Sequence, residues 1–211
     1  MTDRIHKIRQ LFLVAGALAL VACLWSPTAR AVDFSKSEKA QLKAGKTVIQ
    51  LLPSSGKKGF YGGSGYALID APIDEVWKTI LKWEDYPKMF PHTDYCEPLS
   101  RKDDRTLIKM KIGHPVVSVH FHVETVADHE KKSLEFDLVS KYPHDIDSIH
   151  GYWRLFPQSG NRTLAAYVVS VQAPMGIVTI AGEQLAQDAI MALLSIPGDV
   201  RTWMKKNRRN R

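Results

Sequence analysis

The chain has 211 residues, 45% of them hydrophobic and 24% charged, which fits one globular domain with modest extensions. Its formal charge is +7, but that charge sits at the ends. Residues 1–31 hold four basic residues and one acid, and Lys205 to Arg211 holds five basic residues, so the body between them carries about −1 and a nucleic-acid-binding role is excluded.

Arg4, Lys7 and Arg9 precede Leu11 to Ala22, an uncharged apolar run too short for a comfortable membrane span. Residues 1–31 therefore read as an export signal. Ala29-Arg30-Ala31 is a small-residue cleavage site of the ordinary secretory kind, which places the protein in the periplasm or outside the cell. Leu20-Val21-Ala22-Cys23 also resembles a lipoprotein box, in which Cys23 would be lipidated and anchor the chain to a membrane. Retention as an uncleaved anchor is a third alternative. Either processing route leaves Cys96 as the single thiol, so no intrachain disulfide is expected, and a structural cysteine is the plain reading.

Residues 32–58 read as an N-terminal extension. Ser35-Lys36-Ser37-Glu38 is a capping box, and a short basic helix should run from it to about Ala44, with Gly45 as its stop. Thr47 to Leu52 is strand-like, and Pro53 to Gly59 is a loop. From Gly65 to Pro91 the chain reads as strand, proline-marked turn, amphipathic helix and aromatic-proline cluster. Pro72 is expected at the first helical position and Asp74 and Glu75 in the first turn. Ile73, Val76, Trp77, Ile80 and Leu81 form one apolar face, and Asp74 and Lys78 form an i, i+4 pair. Tyr86-Pro87 and Phe90-Pro91 are expected to stop the helix.

Strands follow. Asp103-Asp104 turns, and Thr106 to Ile112 alternates with Ile108, Met110 and Ile112 on one side. Gly113-His114-Pro115 breaks the run. Val117 to Glu124 sets Val119, Phe121 and Val123 opposite His120, His122 and Glu124. Leu134, Phe136 and Leu138 alternate next. After a break at Pro143 to Asp147, His150 to Phe156 carries Gly151, Trp153 and Leu155 on one face. Ser159-Gly160-Asn161 is a hairpin turn, and Leu164 to Gln172 is the last strand. The chain closes on a helix with Leu185, Ala186, Ala189, Ile190, Leu193 and Leu194 at helical spacing. Ala189 to Ile196 is apolar nearly all round, so this segment is buried or covers an apolar ligand. Pro197-Gly198 should kink or divide it, and Val200 to Lys206 resumes it.

This order resembles the helix-grip fold of the START-like (SRPBCC) superfamily: α+β, with a curved antiparallel β-sheet wrapped around a long C-terminal α-helix. The stretch ALIDAPIDEVWKTILKWEDYPKMFP resembles the opening motif of the polyketide cyclase/dehydrase and coenzyme Q-binding START families. Asp70, Ala71, Pro72, Val76, Trp77, Tyr86, Pro87, Phe90 and Pro91 stand at recurring positions. Gly151 to Pro157 (GYWRLFP) resembles the glycine-to-tryptophan strand before the last hairpin. The likeness covers residues 59–207 and leaves 208–211 as a basic tail.

The resemblance implies an apolar cavity between sheet and helix that takes a lipid, quinone or polyketide-like molecule, with lipid transport as the role this suggests. The expected lining is Trp77, Tyr86, Phe90, Met110, Phe121, Phe136, Trp153, Ile190, Leu193 and Leu194, each of which could equally be plain core. The alternative is a polyketide cyclase or dehydratase, for which His92 and Tyr95 are the acid/base candidates. A third possibility is an interaction module whose interior is filled by side chains. No phosphate loop, nucleophile elbow or dinucleotide fingerprint is present, and no cofactor is expected. His120, His122 and Glu124 could share a metal, as could His144, Asp145 and Asp147, but a solvent-facing row and a plain loop are the readings adopted. Asn161-Arg162-Thr163 matches a glycosylation sequon and is read as part of the hairpin. The basic tail could touch anionic lipid. Oligomeric state is not legible.

Overall fold

The computed structural model describes residues 33–52, 59–113 and 118–209. The expected export signal with Cys23, the loop residues 53–58, the His114-Pro115 break and the last two residues of the tail lie outside the described residues. By its contacts the chain divides into residues 1–34 and 35–211, and every described helix and strand lies in the second unit.

The elements are α1 (Lys36–Lys43), β1 (Val48–Leu51), β2 (Phe60–Ile69), α2 (Ile73–Ile80), α3 (Tyr86–Met89), β3 (Thr93–Lys102), β4 (Arg105–Gly113), β5 (Ser118–Asp128), β6 (Ser133–Leu138), β7 (Ser148–Gln158), β8 (Arg162–Gln172), α4 (Met175–Ala181) and α5 (Glu183–Arg209). The strands form one curved antiparallel sheet in the order β1-β2-β8-β7-β6-β5-β4-β3. It is a helix-grip fold, with α5 held by the sheet.

Local signals explain most boundaries. The capping box is formed: Glu38 N–H donates to Ser35 Oγ at 3.2 Å, and Ser35 N–H donates to Glu38 Oε2 at 2.8 Å. Asn161 takes a left-handed backbone (φ 57°) in the β7–β8 hairpin, which asparagine tolerates. Val76, Trp77 and Ile80 bury the apolar face of α2.

Several expectations are corrected. Pro72 caps α2 from an extended conformation, one residue before its first turn. Asp74 bonds to Lys132 at 2.8 Å, because the turn after β5 comes within reach, and its i, i+4 neighbour Lys78 acts on it more weakly through charge alone. Tyr86-Pro87 opens α3 instead of stopping a helix, since proline is tolerated where no amide bond is needed. β3 was not legible by alternation. It is an exposed edge strand that holds Pro98 and two register shifts. α4 was also missed, because its seven residues carry no capping side chain and no charge. Pro197 does not divide α5, which runs unbroken through Arg209, so residues 208–209 are helix and not tail. Arg208 bonds to the Asp70 carbonyl and pairs with Glu75 at 2.7 Å, tying the helix end to α2.

The helix meets the sheet at the glycines of β2. A Cβ on Gly65 would lie 1.8 Å from the Leu194 carbonyl oxygen, and one on Gly63 would meet both Gln50 O at 2.6 Å and Leu194 Cδ1 at 2.7 Å. At these two positions β2 has no room for a side chain of its own. Gly65→Ala should therefore destabilise the fold by about 3 kcal/mol or more through overpacking, read as a lowered urea midpoint. An unchanged midpoint would show that the helix does not lie on this strand.

Candidate ligand-binding cavity

Alternation along the strands sends one set of side chains to the concave side of the sheet. Ile108, Met110 and Ile112 come from β4; Val119, Phe121, Val123 and Thr125 from β5; Leu134 and Phe136 from β6; Ile149 and Trp153 from β7; Tyr167 and Val171 from β8. Together with Trp83, Tyr86 and Phe90 on one side and α4 and α5 on the other, they enclose a partly open cavity of about 390 Å³. The interior is thus not filled by side chains. Aromatic contacts stiffen its wall. Tyr86 lies edge-on to Phe90 at 4.7 Å, Trp153 is tilted against Tyr167 at 4.9 Å, and Phe136 stacks on Tyr167 at 5.8 Å. Gly151 makes room for this cluster, because a Cβ there would meet the Phe136 ring at 2.3 Å.

Of the ten residues named as liners, eight border the cavity: Tyr86, Phe90, Met110, Phe121, Phe136, Trp153, Ile190 and Leu193. Two do not. Trp77 faces the turn after β5, where its indole N–H donates to His129 Nδ1 at 3.0 Å. Leu194 is fully buried against β2, on the side of α5 turned away from the cavity. The two acid/base candidates also separate. His92 borders the cavity, whereas Tyr95 points to the outer face of the sheet, beneath Lys109 and beside His120.

Two further histidines, His120 and His122, alternate with the cavity-facing residues of β5. His120 accepts no solvent-facing role alone: its ring lies 3.0 Å from Asp145, whose carboxylate also takes the His120 N–H at 2.7 Å. His122 departs from the expected solvent-facing row. It is buried, stacked on Tyr142 at 4.9 Å, with Nδ1 3.0 Å from the Pro143 carbonyl, because the loop between β6 and β7 folds over it. Among the described residues no group of three His, Cys, Asp or Glu side chains is placed to hold a metal, and no helix is long and apolar enough to cross a membrane.

Few polar groups reach the cavity. The Tyr86 hydroxyl donates to the Ile80 carbonyl at 2.6 Å, and burial raises its phenol well above the ordinary range. Cys96 is buried outside the lining, and burial pushes its thiol up to about 12, which makes it inert as a nucleophile. One group was missed entirely in the sequence. Asp199, on α5 beyond Pro197, borders the cavity, and burial pushes its carboxyl up to about 6 against the opposing charges of His92 and Arg201. Arg201 is itself held below its usual range by burial, and its Nη1 is buried with no hydrogen-bond partner among the described residues. Only the helical spacing from Ala192 and Ile196 to Asp199 could have revealed this carboxyl.

A family model described as polyketide cyclase / dehydrase and lipid transport matches residues 69–194, more than half of the chain. Among solved structures, the chain is similar to the Zhui aromatase/cyclase from Streptomyces sp. R1128, with a TM-score of 0.55 and 16% identity over 72% of this chain and 96% of that one. It is also similar to a START superfamily protein from Mycobacterium smegmatis, with a TM-score of 0.54 and 16% identity over 67% and 98%. A STAR-related lipid transfer protein from Xanthomonas axonopodis gives a TM-score of 0.51 and 14% identity over 74% and 98%. At these identities the structures show a shared fold. A comparison with curated proteins finds no match.

The raised carboxyl has a consequence for stability. Asp199 binds its proton more tightly folded than unfolded, so its contribution is fully present below about pH 4 and is lost as pH rises through about 6. Asp199→Asn should therefore raise the melting temperature at pH 7.5, by an amount worth about 1 kcal/mol once screening of this half-exposed group is allowed for. At pH 4 the variant should match the parent. An equal effect at both pH values would remove the desolvated carboxylate.

Proposed function

We propose that this chain, which belongs to the polyketide cyclase/dehydrase and lipid transport family, binds a hydrophobic small molecule between its sheet and α5 and carries it or holds it for a partner. The observation that supports this most is the partly open cavity of about 390 Å³ with a lining dominated by aliphatic and aromatic side chains, a size and chemistry suited to small-molecule ligands. A lipid, a quinone or a polyketide-like molecule meets that description. We further propose that the protein is exported, on the strength of the basic n-region, the apolar run and the alternative processing sites at Ala31 and Cys23.

Cyclase or dehydratase chemistry is a second reading, favoured by His92 and Asp199 at one cavity. It is weakened because Tyr95, the other expected proton donor, faces outward. Binding needs neither group to act as an acid or a base.

One measurement addresses all three points. Native mass spectrometry of the full chain expressed in a bacterial host, then mixed with membrane lipid extract, should show a bound hydrophobic molecule and a chain mass starting after Ala31 or at a lipidated Cys23. Empty protein across all extracts would overturn the binding reading, and an intact N-terminus on protein recovered from the cytoplasm would overturn export. Conversion of the captured molecule would favour the enzyme.

The end of α5 offers a membrane contact. Lys205, Lys206 and Arg209 are exposed there, and each basic residue near an anionic surface contributes roughly 1 kcal/mol. Binding to phosphatidylglycerol vesicles should fall steeply between low and physiological salt. Salt-independent binding would exclude this contact.

A further inference from the structure

The cavity is not uniform along α5. Leu185, Ala189, Ala192, Ile196 and Asp199 follow one another at three- and four-residue steps on the face turned to the cavity. Four of these positions are aliphatic and the last is a carboxyl about 21 Å along the helix from the first. Asp188, beside Ala189, also borders the cavity, but it is exposed and accepts from Gln184 Nε2 at 3.1 Å, so it is a solvated carboxyl away from the Asp199 end. His92, in the segment between α3 and β3, borders the same cavity, and its charge acts on Asp199. Ser195 adds no donor to this end, because its hydroxyl is committed to the Ala192 carbonyl at 2.7 Å. The apolar stripe thus ends on a carboxyl, and an imidazole that borders the same cavity is near enough for its charge to act on it.

We infer that the bound molecule is a single-headed amphiphile whose head donates a hydrogen bond, a hydroxyl or phenol, and that this head is seated between Asp199 and His92 with the apolar body along α5. This inference rests on the cavity-binding reading and specifies its ligand class. A partly desolvated carboxylate is costly unless a donor reaches it. A hydroxyl supplies that donor and leaves its own oxygen to accept from the imidazole. A plain alkyl end would leave the carboxylate uncompensated. A carboxylate head would place like charges together in a half-buried site, where they are screened less than in open water. The preference should depend on pH, because burial has pushed Asp199 up to about 6. The charged groups acting on it are His92, which borders the same cavity, and Arg201 on its own helix, and Asp70 acts in turn on Arg201; the other carboxyl bordering the cavity, Asp188, is exposed. Below about pH 6 the carboxyl is neutral and the discrimination against an anionic head should shrink.

The test uses the full chain loaded with Nile red, an uncharged apolar dye, and displaced by dodecan-1-ol, methyl dodecanoate or dodecanoate at pH 8. The alcohol should displace the dye at about tenfold lower concentration than dodecanoate, with the ester between them. Asp199→Asn, which is expected to be at least as stable as the parent, should bring dodecanoate to within about threefold of the alcohol at the same pH. Equal displacement by all three in the parent, or a ratio that Asp199→Asn leaves unchanged, overturns the assigned head site while leaving the cavity reading intact. Displacement by none of the three overturns the cavity reading and this inference with it.

Discussion

The architecture depends on one close approach: the backbone of α5 lies on the glycines of β2, with the Leu194 carbonyl where a Gly65 Cβ would be. A helix packed on a sheet through ordinary side chains is held off it by the length of those side chains. Here the helix is drawn down at one edge of its contact. The strands beyond, from β8 round to β4, then curve away from its opposite face. Leu194 fills the tight side, and Ile190 and Leu193 turn toward the open side. The cavity is the space left by this asymmetry. The Arg208 contacts with Glu75 and Asp70 hold the far end of the same helix against α2, so its tilt is fixed at two points.

The same placement accounts for Asp199. A residue five positions beyond Leu194 returns to the cavity side of α5, and Pro197 does not interrupt the helix that carries it there. Its carboxyl is consequently held in a half-buried site whose other walls are largely apolar. Burial opposes ionisation more strongly than His92 and Arg201 favour it, which is why the carboxyl is raised and not lowered. Tyr86 shows the contrasting outcome. It too borders the cavity, but its hydroxyl is spent on the Ile80 carbonyl, so it contributes a ring face and no free donor.

Much of this was legible in the sequence wherever a single periodicity governed the residue. The alternation of Ile108, Met110 and Phe121, and of Phe136 and Trp153, named the concave face because each strand has one buried side. Trp77 and Leu194 were misplaced for the complementary reason. Apolar periodicity reports burial, and it cannot distinguish burial against a neighbouring element from exposure to a void. Trp77 is buried by the turn at His129, and Leu194 by glycines whose significance lies in what they lack. Tyr95 was misread because β3 is an irregular edge strand, so its facing could not be counted from the regular strands. Asp199 was missed because Pro197-Gly198 reads as a helix end, and the register that links it to Ala192 survives only if the helix continues.

The cavity itself is energetically unusual. A closed dry void costs ~24 cal/mol per Å³; this cavity is partly open, so water can enter, but its largely apolar walls give that water few partners. Filling it would require little change in sequence. Ala189 and Ala192 lie on the cavity face of α5, and longer aliphatic side chains there would recover contacts that now have no partner. The small side chains are instead combined with a rigid aromatic wall and a helix pinned at both ends. An apolar guest can recover the lost contacts without disturbing that frame, and a donor at its end can neutralise the cost of burying Asp199. Void and raised carboxyl are therefore two parts of one arrangement, each unfavourable in the empty protein and each relieved by the same kind of molecule.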